Sequence, residues 1–471
     1  MLPLCVDLDG TLVRGDLSVE SLLSLLKKSP GSVFLVPWWL LKGKAYLKQR
    51  VALSTDLDAA SLPYHEELLQ YLREESRNGR PLYLATAADK RIARSVAQHL
   101  RLFEGVFASD GRRNLAGKNK ADALRSQFGE NNFAYAGNAM IDRDVWCAAQ
   151  EAILIDPSPR LERQVREQTK VVKIFKGRKN AFRLCLQAMR THHWAKNLLV
   201  FVPWVAAHKF SDARAFAEAL GVFLSFCLCA SGTYLVNDLL DLASDRKHPE
   251  KKDRPFASGA FPLIWGAVFG PLLLAGGWLV SLFAPHPFWS TIGLYVALAT
   301  IYSWILKEWL MMDVVVLGIL YTLRIFAGAM AIQVSLSPWL MAFSMFWFLS
   351  LAFMKRFIEL SAAIQGDSQA GARGYVREDL PLLASLGVSS GYVAVLVFAL
   401  YADSETVSAL YTHPRRLWLV CLILLYWISR VWLLARRGRV QGDPVRFAIQ
   451  DIQSYGAGLL AAVLFWISGT R

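Results

Sequence analysis

The sequence predicts a soluble α/β domain with parallel strands, followed by an all-α bundle of helices that cross a membrane. Hydrophobic residues make up 54% of the 471 residues and are concentrated after about residue 195. Before that point they form short runs that end in polar residues, a pattern typical of buried parallel strands. We therefore expect a soluble domain over residues 1–175, a basic linker over 176–190 and a membrane domain over 191–471.

The net charge of +14 indicates membranes and phosphorylated compounds as partners and disfavours nucleic acid. In membrane proteins Lys and Arg usually lie in cytoplasmic loops, and they suit anionic lipids. The six cysteines show no CxxC pairing or metal-ligand spacing, and four of them lie in apolar surroundings, so we expect no disulfides. The first residues lack the basic and apolar pattern of a signal peptide, so we expect the N-terminal domain to stay in the cytoplasm.

Three apolar runs in the first part each predict a buried strand that ends at a polar site. In open α/β sheets the ligand site forms beyond the carboxyl ends of the strands, so we expect the three ends to meet there. The runs cover residues 2–6, 81–85 and 132–136, and they precede Asp7, Thr86 and Gly137-Asn138.

Residues 7–12 read Asp-Leu-Asp-Gly-Thr-Leu and resemble the first motif of the haloacid dehalogenase (HAD) superfamily of phosphatases. Thr86, Lys120, Asn138 and Asp142 follow in the order of the later motifs of that family. The resemblance implies a Rossmann-like HAD fold with phosphatase activity.

The resemblance also implies a role for each motif residue. Asp7 would attack phosphorus to form an acyl-phosphate, and Asp9 would protonate the leaving oxygen and then activate water. Thr86 and Lys120 would hold the phosphoryl oxygens. Mg²⁺ would screen the nucleophile from the phosphate charge. Its ligands would come from Asp7, Asp9, Asn138 and Asp142.

The last motif departs from the family pattern, which usually opens with Gly-Asp. Here it reads Gly137-Asn138, so a neutral amide replaces an anionic metal ligand. Two interpretations stay open: an active phosphatase, or a degenerate domain kept for docking or regulation.

By resemblance, an insertion over about residues 12–80 would form a small helical cap that selects the phosphoester. Within it, residues 33–44 hold Trp38 and Trp39 beside lysines and are too short to span a bilayer. These residues suit a membrane interface, or alternatively the packing of the cap against its own core.

Nine apolar segments in the second part predict nine transmembrane helices. If they alternate, the loops rich in Lys and Arg share one side with the N-terminal domain, whereas residues 284–287 and 403–413 lie opposite. We therefore expect an inner or plasma membrane protein whose active sites are cytoplasmic. The segments are 196–207, 214–236, 261–284, 287–306, 311–333, 337–353, 384–401, 416–435 and 454–469.

An acidic motif stands at the end of the second segment. On one continuous helix, Asp238, Asp241 and Asp245 would lie within about 60° of one another. Three carboxylates on one face repel each other unless cations bridge them, so the spacing predicts a Mg²⁺-diphosphate site. The alternative is a solvated acidic face neutralised by Arg246 and Lys247.

From Asn237 the motif reads Asn-Asp-x-x-Asp-x-x-x-Asp, which resembles the first Asp-rich signature of the UbiA superfamily of intramembrane prenyltransferases. Members that prenylate aromatic rings have a second Asp-rich motif after the fourth span, but here residues 302–307 read Tyr-Ser-Trp-Ile-Leu-Lys. With residues 190–197 and 355–360, this looks like the branch that includes decaprenyl-phosphate phosphoribosyltransferases. That branch uses phosphoribosyl diphosphate as donor and a polyprenyl phosphate as acceptor.

Two phosphorylated substrates present more anionic groups than a prenyl diphosphate with a neutral acceptor, so more cations are needed. Arg324 lies inside an apolar segment, where a charge is costly unless it faces a polar cavity. The alternative for Arg324 is an ion pair with Asp313 or Glu359. The expected substrate-binding residues of this part are Lys196, Asn237, Arg246, Lys252, Arg254, Tyr302, Lys307, Arg324, Lys355 and Arg356.

Together the two resemblances imply a bifunctional enzyme. The membrane part would move 5-phosphoribose from phosphoribosyl diphosphate to a polyprenyl phosphate, and the HAD domain would remove the 5-phosphate. Two other hypotheses stay open: transfer of a prenyl group to an aromatic or other small acceptor, and a non-catalytic lipid-binding or transport protein with a vestigial HAD domain. The sequence leaves the oligomeric state open, a homo-oligomer included.

Overall fold

The structure is a computed structural model, and it describes residues 1–55, 57–177, 180–248, 251–284, 288–365, 374–440 and 442–469. Outside the described residues lie 178–179 of the predicted linker, 285–287 of a predicted loop and 366–373 of a predicted basic loop. The chain divides into two compact units. The first comprises Met1–Met189 and Tyr234–Pro271, and the second comprises Arg190–Thr233 and Leu272–Arg471. The Asp-rich motif therefore belongs to the first unit.

The N-terminal part of the first unit has a parallel sheet, as predicted, but with six strands in the order β3-β2-β1-β4-β5-β6. The three predicted runs form β1, β2 and β4. The strands are β1 Leu4–Val6, β2 Leu82–Asp89, β3 Gly105–Ser109, β4 Ala134–Gly137, β5 Glu151–Ile155 and β6 Lys170–Phe175. The helices of this part are α1 Leu17–Lys28, α2 Leu35–Leu41, α3 Lys44–Ser54, α4 Glu66–Arg77, α5 Lys90–Leu100, α6 Lys118–Phe128, α7 Arg143–Ala148, α8 Pro159–Gln168 and α9 Ala181–Ala188.

Both faces of the central strands are buried, which explains why these strands read as continuous apolar runs. Successive side chains of a strand point to opposite faces. Leu4 and Val6 therefore belong to one hydrophobic cluster, whereas Cys5 between them belongs to another. The residues before and in β4 alternate in the same way, with Ala134 in the first cluster and Tyr135 in the second.

The rest of the chain is helical. Its helices are α10 Val202–Ala206, α11 Ala213–Leu240, α12 Leu242–Lys247, α13 Leu263–Leu282, α14 Trp289–Trp304, α15 Met312–Ala331, α16 Pro338–Gln365, α17 Leu380–Ala402, α18 Glu405–Leu410, α19 Trp418–Arg436, α20 Pro444–Gln450 and α21 Ile452–Ser468. Short 3-10 stretches connect several of them, at Thr191–Phe201, Leu306–Glu308, Arg377–Asp379 and Pro414–Leu417.

The nine predicted spans are not confirmed. In the described part of the chain, six helices are long and apolar enough to cross a membrane: α11, α13, α15, α16, α17 and α19. Helix α14 has 16 residues, a length of about 24 Å against a hydrocarbon layer of about 30 Å. Helix α21 has 17 residues, and the predicted segment 196–207 forms a 3-10 stretch followed by the short α10.

Candidate functional site

The register of the sheet brings the predicted polar positions of the N-terminal domain to one edge. Val6 of β1 is aligned with Leu84 of β2 on one side and with Ala136 of β4 on the other. Asp7 follows β1 directly, and its N–H donates to the Ala136 carbonyl at 2.9 Å. The positions that follow β1 and β4 therefore meet beside β2, as expected, but β2 continues to Asp89, so Thr86 lies within the strand and not after it.

Lys120 connects the polar side chains at this edge. Its buried ammonium donates to Asp7 Oδ1 at 2.9 Å, to Asp142 Oδ1 at 3.0 Å and to the Tyr135 hydroxyl at 2.7 Å. The Tyr135 hydroxyl donates to Asp142 Oδ1 at 2.9 Å. Tyr135 was not among the predicted site residues, although its place in a buried strand was a signal, because a buried tyrosine hydroxyl usually needs a hydrogen-bond partner.

Burial dominates the electrostatics of this cluster. It raises the pKa of Asp7 to about 6, although Lys120 works in the opposite direction. Burial, with Asp16 and Asp7, raises the pKa of Asp9 to about 7, a value that suits a general acid near neutral pH. Burial opposes the charge on Lys120, but Asp7 and Asp142 outweigh it and raise the lysine pKa.

The other predicted residues of this cluster have local partners. Thr86 is buried within β2, and its hydroxyl accepts the Ala88 N–H at 2.9 Å. Asp9 Oδ1 accepts the N–H of Leu17, the first residue of α1, at 2.8 Å. Asn138 Oδ1 accepts the Thr11 hydroxyl at 3.4 Å. A hydrogen bond thus connects Asp9 of the site to the start of α1, the first helix of the predicted cap.

Gly10 allows the close approach of the Asn138 side chain to the first motif. Its φ of +73° is in the left-handed region, and a Cβ there would lie 2.2 Å from Asn138 Nδ2. A larger residue would clash with the amide and would be strained in this conformation.

The donor set of this cluster fits a hard divalent cation. Asp142 Oδ2 is buried and has no hydrogen-bond partner among the described residues, and Asp7 and Asn138 add further oxygens. Mg²⁺ prefers oxygen ligands and commonly uses only one or two carboxylates. Over the described ranges, no group of three or more His, Cys, Asp or Glu side chains is placed to hold a metal ion.

The Asp-rich motif of the same unit does not form the single acidic face that the sequence predicted. The helix is interrupted at Asp241, which lies between α11 and α12. Asp238 and Asp245 are both buried and share one cation, since Arg254 Nη1 lies 3.2 Å from the first carboxylate and 2.6 Å from the second. Asp241 instead binds Lys27 Nζ at 2.9 Å.

Helix α1 of the N-terminal domain contacts this motif through residues that the sequence analysis did not single out. The buried Glu20 carboxylate accepts two hydrogen bonds from the Arg246 guanidinium, at 2.5 and 2.8 Å. Lys27 donates to the Leu240 carbonyl at 2.8 Å in addition to Asp241. Arg246, predicted to bind substrate, is therefore engaged by a residue 226 positions away.

We expect Glu20→Ala to destabilise the first unit by about 3–5 kcal/mol, because it leaves Arg246 buried without its counterion. Thermal unfolding and hydrogen exchange over residues 234–271 would measure this. The double variant Glu20→Arg with Arg246→Glu should recover much of the loss, since it recreates a pair of opposite charges. Glu67→Ala is the control, because Glu67 is exposed on α4. An equal effect of both alanine variants would contradict the assigned role of this pair.

In the second unit, Arg324 is buried and surrounded by neutral groups. It donates to Asn197 Oδ1 at 2.8 Å, to the Tyr295 hydroxyl at 3.2 Å and to the Leu320 carbonyl. Its guanidinium also lies over the Tyr295 and Tyr321 rings, 4.9 and 5.6 Å from their centroids. Among the described residues, no carboxylate pairs with this positive charge.

The alternative partners suggested for Arg324 pair with Arg356 instead. Arg356 is buried, its Nε lies 2.6 Å from Asp313 Oδ2, and its Nη1 contacts Glu359. The Tyr375 hydroxyl also donates to Asp313, at 2.8 Å. Arg356, predicted to bind substrate, therefore takes part in a structural ion pair.

Lys196 forms an ion pair with Asp443, which was not among the predicted site residues. Burial disfavours ionisation of Asp443, but Lys196 and Lys355 outweigh it and hold its pKa below the usual range. Lys355 Nζ also lies 4.0 Å from Glu359. Of the remaining predicted residues, Lys252 is exposed, and Asn237, Tyr302 and Lys307 are partly buried.

Comparison with known proteins gives matches to the membrane part and to the full length. Residues 198–453 match the model of the UbiA prenyltransferase family. The chain is 36% identical to uncharacterized protein y4nM of Sinorhizobium fredii, over 98% of this chain and 90% of that one. It is 35% identical to nodulation protein NoeC of Azorhizobium caulinodans, over 56% of this chain and 86% of that one.

A further relative has a described activity. The decaprenyl-phosphate phosphoribosyltransferase of Mycolicibacterium smegmatis is 26% identical over 58% of this chain and 88% of its own length. Among solved structures, a UbiA homolog from Archaeoglobus fulgidus bound to DMAPP and Mg²⁺ matches 59% of this chain and 96% of that chain, with 15% identity and a TM-score of 0.45.

Proposed function

Because the chain belongs to the UbiA prenyltransferase family, we propose that its membrane part transfers 5-phosphoribose from phosphoribosyl diphosphate to a polyprenyl phosphate. The observation that carries the proposal is the similarity to decaprenyl-phosphate phosphoribosyltransferase over 88% of that protein's length. The family and the six long apolar helices make the chain an integral membrane protein, which suits a lipid acceptor. We further propose that the active sites face the cytoplasm, because the connecting region 241–262 beside the Asp-rich motif contains several Lys and Arg residues.

The Asp-rich motif would hold the donor. Asp238 and Asp245 are buried carboxylates that already meet at one cation, so they fit a divalent ion in place of the Arg254 guanidinium. Asp241 would complete the ligands. Bound Mg²⁺ would neutralise the diphosphate and stabilise it as a leaving group. Arg254, once released from the carboxylates, would be available to the departing diphosphate.

The basic side chains of the membrane part would bind the phosphates of the two substrates. Arg324 suits this role because its contacts are with neutral groups, which leave its charge available to an anion. Lys196, Lys307 and Lys355 would add further charge. Departure of the diphosphate builds positive charge at ribose C1, and a positioned lipid phosphate oxygen then forms the new C–O bond there.

We propose that the N-terminal domain is a HAD-type phosphatase that removes the 5-phosphate of this product. Asp7 would attack phosphorus, and Asp9 would give its proton to the leaving ribose oxygen and then take one from the attacking water. Lys120 holds Asp7 in place and would contact the phosphoryl oxygens, as would Thr86. Asp7, Asp9, Asn138 and Asp142 would supply the ligands of Mg²⁺.

The test uses the purified full-length protein with phosphoribosyl diphosphate, decaprenyl phosphate and Mg²⁺. We expect pyrophosphate release only when all three are present, and mass spectrometry should show a polyprenyl-phosphoryl ribose. The rival reaction is tested in parallel with geranyl diphosphate and an aromatic acid. A prenylated ring without any ribosylated lipid would overturn the proposal in favour of prenyl transfer.

A further inference from the structure

The N-terminal domain exposes a run of large apolar side chains between α1 and α3. This apolar segment, Pro30–Leu41, consists of a 3-10 stretch followed by α2. The exposed fraction is 83% for Phe34, 59% for Trp38 and 83% for Leu41. Soluble domains rarely expose so much contiguous apolar surface unless a partner covers it.

The structure decides between the two explanations that the sequence left open for these aromatics. If they packed the cap against its own core, their side chains would be buried. No residue of α2 is buried, although Val36 and Trp39 are partly covered, and the adjacent Val33 and Phe34 are exposed. Internal packing therefore covers only part of the apolar segment, and the exposed side chains suit an external surface.

The position of the segment within the first unit identifies that surface. Lys27, near the end of α1, donates to the carbonyl of Leu240, the last residue of the membrane-length helix α11. Phe34 follows Lys27 by seven residues, a distance of at most about 25 Å even if the chain were extended. The apolar segment thus begins within about 25 Å of a residue that contacts the end of a membrane-length helix, which suits a place near the lipid surface.

The charges next to the segment suit anionic headgroups. The Lys42 ammonium lies 5.3 Å from the centroid of the Trp38 ring and equally far from that of Tyr46. Lys28 precedes the segment, and Lys44 follows it. Tryptophan beside lysine is typical of segments that lie in a membrane interface, where the rings enter the headgroup layer and the cations remain at its surface.

We propose that Pro30–Leu41 is an interfacial anchor that inserts Phe34, Trp38 and Leu41 into the headgroup region of an anionic bilayer. The anchor holds the N-terminal domain at the lipid surface, where a phosphorylated lipid would be found. The anchor is inferred from exposure, position and neighbouring charge, so it does not depend on the proposed reaction.

The test measures how deeply the segment enters the bilayer in the full-length protein. Cys147, the exposed native cysteine, is first replaced by serine. Single cysteines are then introduced by Phe34→Cys and Leu41→Cys, with Glu66→Cys on the exposed face of α4 as the control. The nitroxide-labelled proteins are reconstituted in vesicles of phosphatidylcholine and phosphatidylglycerol. The spectrum of labelled Cys147→Ser protein is subtracted as background.

Collisions with oxygen report the lipid phase, and collisions with a nickel chelate report the aqueous phase. We expect the ratio of oxygen to nickel accessibility to be several-fold higher at positions 34 and 41 than at position 66. Equal ratios at the three positions would overturn the proposal. Dipolar broadening at positions 34 and 41 that grows with the protein-to-lipid ratio would also overturn it, because a second copy of the chain would then cover the segment.

Discussion

Replacement of Asp238 by asparagine should reduce phosphoribosyl transfer by at least about 100-fold. Asp238 shares Arg254 with Asp245 in a buried cluster, and its charge would be needed to hold Mg²⁺ and the donor's diphosphate. Because asparagine has nearly the same shape, the substitution removes the charge and leaves the packing almost unchanged. Asp245→Asn and Asp241→Asn should have the same direction of effect.

The measurement is pyrophosphate release from phosphoribosyl diphosphate in the presence of decaprenyl phosphate and Mg²⁺. Asp253→Asn serves as the matched control, since Asp253 is exposed in the same connecting region and should keep full activity. Thermal unfolding of each variant separates a catalytic loss from a folding defect. Normal turnover by a stably folded Asp238→Asn protein would refute the assignment of the donor site.

Asp7→Asn should reduce the rate of dephosphorylation by at least about a thousandfold, while phosphoribosyl transfer continues at its normal rate. The lipid that carries the 5-phosphate should therefore accumulate. Asp7 directly follows β1 and receives a hydrogen bond from Lys120, so it is placed to attack phosphorus but has no part in the proposed transfer step. Asp238→Asn, in contrast, should yield neither lipid.

Mass spectrometry of the lipid products from the unmodified protein and from Asp7→Asn decides this prediction. Asp144→Asn is the control, because Asp144 is exposed near Asp142. If both proteins form the same phosphorylated lipid and no dephosphorylated lipid appears with excess Mg²⁺, the phosphatase is inactive. In that case Asn138 marks a degenerate domain. The main role of the N-terminal domain would then be its contacts with the Asp-rich motif.

The sequence by itself determined the class of each part of the molecule. Strong local patterns made this possible: continuous apolar runs that end in polar residues predicted the parallel sheet, and long apolar segments predicted the helical membrane part. The meeting of Asp7 and Asp142 was also predictable, because both follow neighbouring parallel strands whose carboxyl ends lie at one edge. Lys120, in the first turn of α6, was expected there only from the family resemblance. The number of spans was not, since hydropathy alone does not show where a helix is interrupted or shortened.

Only the tertiary structure decided which charges meet. The spacing of Asp238, Asp241 and Asp245 predicts one acidic face on a continuous helix, but the interruption at Asp241 directs its carboxylate to Lys27. The Glu20–Arg246 pair joins residues 226 positions apart. Local periodicity carries no information on such a contact, because it depends on how the folded elements pack together. The degree of burial likewise became known only from the tertiary structure, which leaves Trp38 exposed and partly buries Asp9 so that its pKa rises.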